Sequence, residues 1–176
     1  MTDVAPVFAP WSAFFTVTGS AGAALTGLTF VAITLIKDDT MAERRSPDGI
    51  ATFTTPIVVY FGAAFLIATI ALVPWRATIA PALLLGAGAL AGLVYGAVLF
   101  LHAVRLENYR PDAEDWTWHS VLPIVAYVAV LASAIALGPS PANALFPLAG
   151  ASVLFVVIGI HNAWDIVTWI TVKRDQ

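Results

Sequence analysis

Residues 80–103 read APALLLGAGALAGLVYGAVLFLHA, a run of 24 residues without an aspartate, glutamate, lysine or arginine. About 20 apolar residues carry an α-helix across the roughly 30 Å hydrocarbon core of a bilayer. Four more stretches have the same character: 11–36, 50–73, 120–137 and 144–171. Only the last holds a charged residue, Asp165. Inside lipid every backbone polar group must be satisfied within its own segment, which leaves the helix as the form for such runs. The sequence therefore predicts an all-α fold, a polytopic transmembrane bundle of five helices forming one domain over residues 1–176.

Composition agrees. The chain has 176 residues, of which 60% are hydrophobic and 11% charged, against roughly 25% charged in a soluble domain. Its surface is one that lipid solvates, so the bilayer is its first partner. The formal net charge is -3 and there are only two lysines, Lys37 and Lys173. With no basic stripe, nucleic-acid binding is excluded. There are no cysteines, which removes disulfides, thiolate metal sites and a cysteine nucleophile. The first apolar run is too long for the core of a signal peptide and has no basic residue before it, so it is expected to stay in the mature protein.

The connectors carry chain breakers: Ser46-Pro47-Asp48-Gly49, Pro74 and Pro81, Tyr109-Arg110-Pro111-Asp112, and Gly138-Pro139-Ser140-Pro141. Pro81 suits a first helical turn. Pro147 either kinks the last span or marks its start. Five spans place Lys37, Arg44, Arg45, Arg105, Arg110, Lys173 and Arg174 on one side and Arg76 alone on the other. Basic residues collect on the cytoplasmic side, so the N-terminus is expected outside and the C-terminus inside. An even number of spans would spoil that asymmetry. Trp11 and Trp75 then fall at the outer interface, and Trp116, Trp118 and Trp169 at the inner one, as amphipathic rings do.

Two spans carry small residues at helical spacing: Gly19, Ala23 and Gly27 in the first, and Gly88, Gly92 and Gly96 in the third. Such faces let backbones approach closely. They serve packing within one chain or the interface of a homo-oligomer. A second stripe on the first helix is Thr18, Gly22, Thr26 and Thr29. These hydroxyls either bond back to the carbonyl one turn earlier or line a wet pathway.

The run Trp11-Ser12-Ala13-Phe14-Phe15, followed by residues 19–32 (GSAGAALTGLTFVA), resembles a group of small bacterial inner-membrane proteins, some of them described as modulators of a membrane protease. Asn162-Ala163-Trp164-Asp165 is similar to that group as well. The resemblance covers about a quarter of the chain. It implies a multi-pass protein of the bacterial inner membrane and assigns no activity, cofactor or site residue.

The most polar stretch within any span is His161-Asn162-Ala163-Trp164-Asp165. His161 and Asp165 are four apart and share a helix face. Ionisable groups inside a membrane are costly and mark function by default. Asp165 also lies only one turn, about 6 Å, from Trp169 at the interface, where the cost falls. A structural hydrogen bond between helices is therefore the competing reading. His102, at the inner end of the third span, is a candidate neighbour. A His102, His161 and Asp165 cluster would relay protons or hold a cation, since histidine titrates near neutral pH.

No zinc-protease, nucleophile-elbow or phosphate-loop motif is present, so an enzyme is not expected. One acid and two histidines make a thin metal set, and no cofactor is expected. The sequence thus suggests an oligomeric channel or transporter for protons or small cations, using Thr26, Thr29 and the His161–Asp165 cluster. The alternative is a non-catalytic partner that binds a larger membrane complex through its glycine faces.

Overall fold

A computed structural model describes residues 5–37, 47–104 and 113–174. Every element among them is helical. A short turn at Ala5–Phe8 and a 3-10 turn at Ala9–Trp11 lead into α1, Ser12–Lys37. Then come α2, Pro47–Leu72, and α3, Ile79–Val104. A helical turn at Ala113–Trp116 and a π-helical turn at Thr117–Val121 run directly into α4, Leu122–Ala136. The last helix, α5, is Pro141–Arg174. Five of these segments are long and apolar enough to cross a membrane. The chain is an all-α bundle, and its five apolar helices make it a multi-pass membrane protein.

Several boundaries differ from those expected, for local reasons. Pro47, Asp48 and Gly49 open α2 instead of closing a loop; proline's missing N–H is unneeded in a first turn. The helix of the fourth span begins earlier, at Ala113, and its membrane-crossing stretch is Thr117–Ala136 against the expected 120–137. Pro147 sits inside α5, which starts at Pro141. At 34 residues and 1.5 Å per residue, α5 is about 51 Å long and outreaches the hydrocarbon core.

The helices pack in the spatial order α1, α2, α5, α4, α3. The short connection between α2 and α3 brings those two into only slight contact. α5 is therefore the central helix, and half of its most apolar stretch is buried. Its buried face presents Leu145, Leu148, Phe155 and Ile158. Against it lie Tyr60 and Phe61 of α2 and Tyr127 of α4. Large apolar side chains on the outside, such as Val17, Leu83, Phe146 and Ile135, meet lipid rather than water.

The two glycine faces are used unevenly. Gly19 and Gly22 lie against α2, where a Cβ on Gly22 would come within 2.7 Å of the Phe61 carbonyl. Ala23 and Gly27 point outward, and nothing lies within 4 Å of a Cβ on Gly27. The close-packing face of α1 is thus Gly19–Gly22, not Gly19–Ala23–Gly27. On α3, Gly92 accommodates the Tyr127 ring of α4, whereas Gly88 and Gly96 have no neighbour there. α1 and α3 stand at opposite edges of the packing order, so their glycine faces do not meet.

Aromatic residues gather at both ends. Trp11 packs edge-on against Phe146, near the start of α5. Trp75 closes α2 at that same end, its Nε1 donating to the Ile70 carbonyl at 2.7 Å. Trp116 and Trp118 lie at the other end, called here the histidine end. Arg44, Arg45, Arg105 and Arg110 lie outside the described residues, as do the side chains of Lys37, His102, Trp169, Lys173 and Arg174.

Candidate functional site

The site is built at the histidine end, where α5 meets the helical turns preceding α4. One helical turn separates His161 from Asp165, and Nδ1 of the ring lies 3.2 Å from Asp165 Oδ2. The approach is off the hydrogen-bond axis, so Nδ1 gains an electrostatic contact without a hydrogen bond. On the other side of the ring, Nε2 lies 3.6 Å from Glu114 Oε1. The imidazole stacks flat on Trp118, with centroids 3.7 Å apart and planes 7° from parallel. A cationic ring over an indole face is favoured electrostatically.

Glu114 and Trp118 come from a segment whose register is set by the π turn. Its wider ring is closed by the Leu122 N–H donating to the Thr117 carbonyl. Such turns are rare and occur often at functional sites. The side chain of His161 is mostly shielded, that of Asp165 about half exposed and that of Glu114 largely exposed. Water therefore reaches both carboxylates and weakens each ion pair. The arrangement can accept a proton at the imidazole and hold the resulting cation between two acids.

Of the expected cluster, His161 and Asp165 come together. Glu114 was missed by sequence reasoning, because hydropathy placed it in a connector. The available signal was its spacing of four from Trp118, which puts both on one helix face. Among the described residues no group of three acid, histidine or cysteine side chains could hold a metal ion.

Asn162, beside His161 in sequence, faces the other way. It is buried in the bundle, 2% exposed, and neither its Oδ1 nor its Nδ2 has a partner. Ser152 Oγ, on the same buried side of α5, is also unpartnered. The threonines of α1 are all occupied locally. Thr26 Oγ1 donates to the Gly22 carbonyl and Thr29 Oγ1 to the Leu25 carbonyl, both at 2.8 Å. Thr18 Oγ1 lies between the Phe14 and Phe15 carbonyls. That is how a hydroxyl is satisfied inside a membrane helix.

Compared with known protein families, curated proteins and solved structures, the chain matches none. What fold and composition define is the class, a five-helix multi-pass membrane bundle.

Proposed function

We propose that this protein handles ions at the membrane: the His161–Asp165–Glu114 group takes up a proton or small cation from the cytoplasm and passes it toward the bilayer. The observation that carries this reading is the imidazole stacked on Trp118 with a carboxylate near each ring nitrogen. A purely structural tie needs one partner, not two acids drawn from different segments. The group lies at the end whose loops and tail carry seven of the eight basic residues, the cytoplasmic side by that charge bias. The resemblance to small bacterial inner-membrane proteins supports the inner membrane as its location, and an enzyme role has no support in the residues.

Among the described residues a single chain offers no continuous polar route. Beyond Ser152 the buried face of α5 ends in Leu148, Leu145 and Ala144. Transport through this protein therefore uses a homo-oligomer or a movement of α5. The test is proton and alkali-cation flux in proteoliposomes. Asp165→Asn and Glu114→Gln should each lower it, and flux unchanged in both variants would remove the group from the mechanism.

A second reading is favoured by the unfilled positions at Gly27 and Gly88, where nothing lies within 4 Å of a Cβ. They suit close approach by another membrane helix, and so a non-catalytic partner of a larger complex. That reading expects no flux, and loss of a co-purifying membrane protein in Gly88→Leu.

A further inference from the structure

The amide of Asn162 has no protein partner for either atom and is 2% exposed. An unsatisfied polar group in an apolar interior costs several kcal/mol. Leucine has nearly the same shape and would avoid that cost. A buried asparagine with both a donor and an acceptor open calls for a ligand that accepts and donates at once.

Its surroundings supply more of the same chemistry. α2 and α5 run antiparallel, with Gly159 against the Phe61 ring and Phe155 stacked on Tyr60. That register sets Asn162 beside the turn of α2 containing Pro56 and Ile57, both buried. Pro56 lies inside the helix. A proline there has no N–H, so the carbonyl four residues earlier loses its helical donor. About two turns outward from Asn162, Phe155 is flanked by the rings of Tyr60 and Tyr127, whose hydroxyls donate and accept. Farther along the same face stands Ser152, fully buried with Oγ unpartnered. Ten residues separate Ser152 from Asn162, about 15 Å along the helix.

We infer that Asn162 and Ser152 each bind water inside the bundle. This goes beyond the ion-handling reading and does not rest on it. The ligand set argues against a metal cation. Such ions take several oxygen or nitrogen ligands, and the described residues hold no group of three acid, histidine or cysteine side chains for one. Water fits the amide instead, since buried waters take two to four polar partners.

Hydroxyl-radical labelling by X-ray radiolysis tests this on the full chain in lipid nanodiscs, because radicals formed from internal water oxidise the side chains beside it. Ile57 and Ile158 are as buried as Leu145, which lies seven residues from Ser152. With water at Asn162, the two isoleucines should label about tenfold faster than Leu145. Asn162→Leu should bring them down to the Leu145 rate. Equal rates in the wild-type protein overturn the inference, whether or not the variant folds. Labelling that persists unchanged in a folded Asn162→Leu overturns it too. The readout does not depend on flux, so the two proposals fail separately. Ion flux with inert isoleucines removes the water sites and spares ion handling. Labelled isoleucines without ion flux keep the water and remove ion handling.

Discussion

Replacing Gly22 with alanine should loosen the α1–α2 contact. An ideal Cβ there lies 2.7 Å from the Phe61 carbonyl oxygen, 3.2 Å from the Phe65 nitrogen and 3.5 Å from Ala64 Cβ. The first two atoms belong to one helical hydrogen bond of α2, and neither moves without the helix. Restoring ordinary separation of about 3.5 Å requires the two helices to part by roughly 0.8 Å over a tightly packed seam. Overpacking of this kind costs about 1–3 kcal/mol. Removing a mid-helix glycine returns about 0.5–1 kcal/mol. The net expectation is a loss of up to about 2.5 kcal/mol, centred near 1. Gly27→Ala is the internal control, because nothing lies within 4 Å of its Cβ, and it should keep only the gain. Reversible unfolding in mixed dodecylmaltoside and SDS micelles, followed by circular dichroism, measures both. If Gly22→Ala proves as stable as Gly27→Ala, the close approach of α1 to α2 is wrong.

Gly92→Ala should destabilise the α3–α4 pair, since its Cβ would enter the Tyr127 ring, whereas Gly88→Ala should not; the same unfolding assay separates them. Tryptophan emission should change in His161→Leu, because the imidazole stacks on the Trp118 indole at 3.7 Å. Emission identical to wild type would show that the two rings do not meet. Trp118→Leu should lower proton flux in liposomes about as far as Glu114→Gln, because each removes one support of the His161 ring; flux at the wild-type rate in Trp118→Leu would make the stacking incidental.

Hydropathy made the five helices legible, because lipid imposes one rule on every span and composition records it directly. The ends of the spans were less so. Glu114 to Ser120 reads as a connector, yet it is helical, since an interface tolerates polar side chains on a helix that hydropathy discards. The pairing of His161 with Asp165 followed from a spacing of four. The pairing with Glu114 did not, because it joins segments 47 residues apart in the sequence, through a π turn that no local pattern announced. Glycine spacing identified which residues are small and left open which of them meet a neighbour. Gly22, placed among the threonines rather than in the glycine face, makes the closest contact with backbone.

The position of α5 bears on how the protein is made. α1 pairs with α2, and α3 pairs with α4, but the two hairpin-like halves touch each other only slightly. The helix that joins them follows all four in the chain. Until it inserts, each half has its own contacts and no common core, so the bundle closes only once α5 is in place. A chain stopped before Pro141 would place four helices in the membrane as two separate pairs. The same order makes the final helix a checkpoint, since the His161 site and the core are completed together by one insertion event.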